Sequence, residues 1–400
     1  MAQQAQTANA NGPIYGGAAN GALTGAGTAD ERRALYLKLF SGEMFKGFQH
    51  NTIARDLVTR RTLKNGRSLQ FIYTGRTKSE FHVPGQSILG NDEKTPPVAE
   101  KTITVDDLLI SSAFVYELDE TLAHYDLRGE ISRKIGYALA ENYDRRIFRA
   151  ITKAARQPSP VTMSNFVEPG GSVVKVGAAA STTAADAYNA GHLVNAFFDA
   201  AAILDEKGVS GEGRVAVLNP RQYYALIQDV SSNGLINRDV QGTALQSGNG
   251  IIEIAGIKIY KSMNIPFFGK FGTKTDMNPR ASNDNEGSFV GEAMGDQDAK
   301  TTPSNSNTQK TVNNYGTAAK FANSCGLIFQ KEAAGVVEAI GPQVQVTSGD
   351  VSVVYQGDVI LGRLAMGADF LNPACAVELV AGIDVSSNFN NTAVSNASFT

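Results

Sequence analysis

An α+β fold is predicted, and three stretches predict it: a long proline-free segment with helical apolar spacing, a long pair of β-prone runs, and short apolar strands alternating with helices farther along. The first is Asp119 to Arg156. It contains two glycines, Gly129 and Gly136, and Leu127, Ile131, Ile135, Leu139, Ile147 and Ile151 recur on one helical face. Asp119 is placed to cap the N-terminus, Glu130 to Lys134 and Glu141 to Arg145 supply i,i+4 pairs in the favourable order, and Gln157-Pro158 ends the helix. At 1.5 Å per residue it is roughly 50 Å long, about the width of a domain, so other elements must lie across it.

From the start of the chain, residues 1–29 are Gly, Ala, Asn, Gln and Thr with almost no charge, a composition that cannot bury enough surface to offset ordering. A flexible arm is expected there. Leu35, Leu37, Leu39 and Phe40 then lead into Met44, Phe45 and Phe48, a short apolar helix able to anchor the arm. Residues 52–113 read as one long β-hairpin, with a turn at Lys64-Asn65-Gly66-Arg67, a tip over 84–97, and a return strand alternating through Thr102, Ile103, Thr104 and Val105. An arm of twenty extended residues reaches on the order of 65 Å at about 3.3 Å per residue, too far to be covered by its own globule.

After the long helix, 161–176 offers short β runs around Pro169-Gly170-Gly171, and Ala184 to Lys207 is an alanine-rich helix with Leu193, Phe197, Ala201 and Leu204 on one face. Val215 to Leu218 reads as a buried strand, Asn219-Pro220 opens a helix through Ile227, and Ile251 to Ile254 with Ile257 to Tyr260 flank Ala255-Gly256 as a hairpin. Residues 269–319 are mostly Gly, Asn, Ser, Thr and Asp and read as a surface excursion. A β-rich block follows over 325–354, then 358–380 ends the folded part, and the last twenty residues read as a polar tail.

Composition narrows the function. Four hundred residues with 42% apolar content can bury a sizeable core, and a net charge of −3 speaks against a general nucleic-acid binder. The two cysteines, Cys325 and Cys375, form no disulfide or zinc pattern and read as buried thiols in a reducing compartment. With no run near ~18 apolar residues and no secretory pattern, a cytoplasmic product without a membrane partner is expected.

Enzymatic motifs fail on spacing. His50, His82, His124 and His192 lie in four different elements without a ligand partner at metal spacing. Gly21, Gly25 and Gly27 miss the phosphate-loop pattern, and Asn283 to Gly287 lacks the chelating alternation of a calcium loop. Asp106 and Asp107 point to opposite strand faces, which makes a poor carboxylate dyad. No catalytic, metal or cofactor residue is assigned. The competing class is a soluble α+β enzyme, hydrolase-like, with an unrecognised site.

Collinear strings carry a resemblance. They are Ala34 to Glu43, Gly75-Arg76-Thr77, Pro84-Gly85, Glu100 to Leu109, Tyr116 to Glu120, His124 to Arg128, Asn219-Pro220, Met263 to Pro266, and Ala365 to Ala368 before Asn372-Pro373. In this order they resemble the major capsid proteins of T7-like short-tailed bacteriophages, cyanophages included, over about 34–380. The resemblance implies the HK97-like capsid fold, with 1–50 as arm and 51–113 as extended loop. It further implies a peripheral domain of 114–183 and 320–355 with spine helix 119–156, and an axial domain of 184–319 and 356–380. The 269–319 loop and the 381–400 tail are extensions of that pattern.

The implied function is structural: hexamers and pentamers of an icosahedral shell around packaged double-stranded DNA, held without sequence specificity. Such a protein is assembled in the host cytoplasm and ends in the virion. Residues 1–50 are too short and polar to act as an internal scaffold, so a separate scaffolding protein is implied, with a portal protein at one vertex. Non-covalent shells, without crosslinks between subunits, are implied as well.

Charge adds an expectation of its own. Residues 55–78 hold seven cations against Asp56, and 102–127 hold six acids and no cation. An intersubunit contact is expected between Arg60, Arg61, Lys64 and Arg67 of one subunit and Glu117, Asp119, Glu120 and Asp126 of its neighbour, with pairing inside one hairpin as the alternative.

Overall fold

The structure, a computed structural model, describes residues 53–75, 81–85, 98–105, 108–116, 127–160, 166–178, 184–227, 252–262, 324–346 and 356–381, with a few positions between. These form two compact units. The first holds 107–142 and 340–366, and the second 52–106, 143–339 and 367 onward.

In the first unit β4 (Leu109–Tyr116) runs antiparallel to β13 (Gly357–Phe370), from Tyr116 opposite Gly357 to Leu109 opposite Leu364. The helix α2 (Leu127–Ala155) seats Ile135 and Leu139 on Val115 and Ile360, with Ile131, Leu109 and Ala113 at the margin. Burying each such side chain contributes about 1.5–3 kcal/mol. Gly362 makes the close approach possible, because a Cβ there would fall on Ile135 Cγ2 and Leu139 Cδ1.

The second unit is organised on a six-stranded sheet in the order β7-β14-β11-β8-β10-β9. Its strands are β7 (Ser172–Lys175), β8 (Arg214–Leu218), β9 (Ile252–Ile254), β10 (Ile257–Lys261), β11 (Ser324–Gln330) and β14 (Ala376–Val380). β8 with β10 and β14 with β7 are parallel, the other pairs antiparallel. Every residue of β8 and β14 is buried, as near-continuous apolar strands covered on both faces should be. The helix α3 (Ala190–Glu206) begins at Asn189, whose side chain accepts from the Gly191 and His192 amides. Leu193, Phe197, Ala200 and Leu204 of α3 pack with Leu226 of α4 (Pro220–Ile227) over Val174, Ile259, Ile328 and Leu379.

The expected helices at 184–207 and 220–227 and the hairpin around Ala255-Gly256 are present, the first opening as a 3-10 turn over Ala184–Tyr188. The reading of 52–113 as one hairpin is corrected. A short helix α1 (Ala54–Leu57) comes first, and β1 (Thr59–Thr62) pairs in parallel with β12 (Ala334–Val346), Thr59 opposite Gly335. Only β2 (Ser68–Thr74) and β3 (Val98–Thr104) pair as a hairpin, and the return run breaks before β4, which belongs to β13. Register explains the split: alternation marks β2, β3 and β4 as half-buried strands, β1 is mostly exposed, and neither pattern tells the partner. β11 lies between β8 and β14, and the first part of β13 lies beside β4.

The long helix is described from Leu127, so Asp119 as its cap lies outside the described residues. Its apolar face is as expected at Ile135, Leu139, Ile147 and Ile151. Its second half is not amphipathic: every residue from Asn142 to Thr152 is buried. Burial on all sides is possible because the polar side chains have partners. Asp144 accepts from the Ile53 and Ala54 amides at 2.9 and 3.2 Å, which caps α1, and the Thr152 hydroxyl donates to the Phe148 carbonyl.

Candidate assembly surfaces

The β2/β3 ribbon runs in register from Ser68 opposite Thr104 to Thr74 opposite Val98. Side chains alternate across it. Phe71 and Ile103 are buried on one face, while Ile72 and Val98 point the other way, 76% and 64% exposed. Beyond the strands, Phe81 is fully exposed and Val83 half exposed. A two-stranded ribbon with apolar residues on its outer face is marginal by itself and gains from being covered.

The ribbon is anchored at mid-length within the second unit. On β3, Lys101 Nζ lies 2.9 Å from Asp369 Oδ2 and 3.8 Å over the centre of the Phe370 ring. Lys153, in the last turn of α2, reaches Asp369 Oδ1 at 3.1 Å. Glu338 on β12 is a second anchor: it accepts from the Tyr143 hydroxyl at 2.6 Å and from Arg55 Nε and Nη2 at 3.2 Å each. Burial, then the hydrogen bond to Glu338, pushes the Tyr143 hydroxyl well above its usual range, and the same carboxylate raises Arg55.

The expected interface residues are placed unevenly. Arg60 Nη1 stands 3.8 Å from Glu338 Oε2 of its own chain, and the Arg61 guanidinium lies 4.8 Å over the Phe71 ring. Both are on β1, so they sit at the root of the ribbon and not partway along it. Lys64 and Arg67 are exposed around the turn where Gly66 adopts φ +90°. Glu117, Asp119, Glu120 and Asp126 lie outside the described residues, as do the arm, 269–319 and the tail. Sequence reasoning missed Glu338 and Asp369, because their partners are remote: Glu338 and Arg55 are separated by 283 positions.

A cleft of about 550 Å³ opens along β2. Phe71 to Gly75 line one side; Glu168, Pro169, Val209, Glu332 and Leu371 are among those facing them. Arg214 shapes the 205–214 loop at its lip, donating to the Ser210 carbonyl and, at 2.7 Å, to Asp205. Tyr73 donates to the buried Glu168 at 3.2 Å. Cys375 at the cleft floor and Cys325 in the sheet are buried free thiols, both pushed up by burial, Cys375 to about 12. Neither has the thiolate character of a nucleophile.

Solved structures that share this fold are phage capsids. A chain of the bacteriophage PhiM1 mature capsid superposes with a TM-score of 0.57 at 15% identity, covering 85% of this chain and 90% of that one. Nearer in sequence is the capsid structure of Cyanophage P-SCSP1u, with 30% identity, a TM-score of 0.63, and 87% and 94% of the two chains covered.

The chain belongs to the Gp10A-like family, described as major capsid protein, which matches residues 70–380. The major capsid protein of Escherichia phage T7 is 32% identical over 131 residues, 32% of this chain and 37% of the relative, so the match spans little more than a third of that curated relative. The family is one of structural proteins, not enzymes.

Proposed function

We propose that this chain is the major capsid protein of a short-tailed phage and self-assembles, as hexamers and pentamers, into the shell of the virion. The observation that carries the reading is the β2/β3 ribbon, whose outer face leaves Ile72 and Val98 bare while it is tied down at mid-length by Lys101 and Asp369. An anchored ribbon with an uncovered apolar face suits overlap with a neighbouring subunit, and repeated over many subunits weak overlaps become strong. The sequence-based division into arm, extended loop, peripheral and axial domains belongs to this proposal. So do packaged double-stranded DNA on the inner face, a separate scaffolding protein, a portal at one vertex and non-covalent contacts throughout.

Lys64, exposed at the root turn, is the cation best placed to meet the acidic 117–126 segment of a neighbour. Arg60, Arg61 and Arg67 have partners within their own chain. Electron microscopy of the purified chain, expressed with its scaffolding protein, tests the assembly reading: closed shells are expected, and a small discrete oligomer under all conditions would overturn it. Lys64→Glu with Arg67→Glu should slow assembly and flatten its salt dependence in light scattering.

A further inference from the structure

Among the described residues, Asn65 is the one asparagine followed by glycine, and it stands exposed in the bend that joins β1 to β2. The amide after it is open to act as a nucleophile. Gly66 is exposed at φ +90°, a Cβ there would meet open space, and no backbone hydrogen bond among the described residues holds its N–H. The other described asparagines each lack one of these conditions. Asn219 and Asn372 precede prolines, which have no N–H, and Asn142 and Asn195 lie inside helices, where the next amide is hydrogen-bonded. Asn264 is buried, and the Asn189 side chain is occupied as the cap of α3.

From these we infer that Asn65 is a site of spontaneous covalent modification, converting through a cyclic imide to isoaspartate and aspartate. The Gly66 nitrogen bonds to Asn65 Cγ and closes a five-membered succinimide. Its proton leaves with the side-chain nitrogen as ammonia. Water then opens the ring: attack at the main-chain carbonyl gives isoaspartate, with the chain running through the side chain, and attack at Cγ gives aspartate. Nothing is oxidised or reduced, and water is the only co-reactant. Either product puts a carboxylate between Lys64 and Arg67, where the amide carried no charge. The position gives the change a structural consequence. β1 ends against β12 with the Leu63 amide donating to the Glu338 carbonyl, and the ribbon begins where the Arg67 carbonyl accepts from Val105. Residues 64–66 are the covalent link between them, and isoaspartate lengthens that link by one backbone carbon.

The test incubates the full-length chain in mildly alkaline buffer, folded and in urea. A glutamate-specific protease cuts after Glu43 and Glu80, and mass spectrometry of the 44–80 fragment follows residue 65. Conversion of the amide to an acid is expected in the folded chain within about tenfold of the rate in urea, because an exposed bend reacts without global unfolding. Isoaspartate should exceed aspartate, read by labelling with an isoaspartyl methyltransferase. Asn65→Gln should abolish both products at this position, since the ring it would need is one atom larger and closes slowly. An amide that persists in the folded chain while the urea sample converts overturns the inference. Aspartate without isoaspartate overturns it too, because direct hydrolysis makes no use of the Gly66 amide. Neither result bears on the shell reading, which is tested separately by microscopy.

Discussion

Arg156 holds Glu378 through two parallel hydrogen bonds, Nε to Oε2 and Nη2 to Oε1, each 2.6 Å long. Their side chains are 2% and 0% exposed, so the pair fastens the residue after α2 to the middle of β14 in a buried site. Breaking such a pair strands one buried charge. Glu378→Leu alone should therefore lower stability by about 3–5 kcal/mol, read from urea denaturation, whereas Arg156→Met with Glu378→Leu should recover most of that loss. A double variant as unstable as the single one would show that the side chains matter here through shape and not through charge.

Gly362 has no room for a Cβ beneath α2. Gly362→Ala should cost about 1–3 kcal/mol by overpacking, and pairing it with Ile135→Ala, which removes the colliding methyl, should cost less than the sum of the two single changes. Strict additivity in a thermal melt would contradict the packing described for the first unit.

The β9/β10 turn places Ala255 at φ +51° and Gly256 at φ +73°. Alanine is a poor occupant of that conformation, and asparagine a good one. Ala255→Asn should stabilise by about 0.5–1 kcal/mol, while Ala255→Val should destabilise by at least as much. Denaturant midpoints of the two variants measure this directly.

Lys207 donates to the Gly170 carbonyl at 2.7 Å, and burial lowers its ammonium from 10.5 to about 8. A depressed lysine is held more weakly by protons when folded than when unfolded. Stability attributable to it is thus lowest below pH 8 and rises as pH climbs from about 8 toward 10.5, because the unfolded chain binds the extra proton over that window. Lys207→Met should remove this rise, so the native chain should gain stability relative to the variant from pH 7 to pH 10. A difference independent of pH would place the ammonium in a solvated setting.

By itself the sequence determined the local elements whose signals are local. Apolar recurrence marked Ile135, Leu139, Ile147 and Ile151 as one helical face, Asn219-Pro220 marked a helix start, and Ala255-Gly256 between two isoleucine runs marked a two-residue hairpin. Collinear strings from Ala34 to Pro373 also carried the family, in agreement with the match over 70–380. What only the tertiary structure decided was pairing. The strand-forming runs of β1 to β4 are equally compatible with one long hairpin and with three separate pairings, because a strand's period tells which face is buried and not which strand lies beside it. The anchors followed the same rule. Glu338, Asp369 and Glu378 gave no local signal, since each is a carboxylate on a strand until Arg55, Lys101 or Arg156 arrives from a distant part of the chain. Burying the second half of α2 on all sides followed the same rule, for Asp144 meets the Ile53 and Ala54 amides and Tyr143 meets Glu338 only when the chain folds.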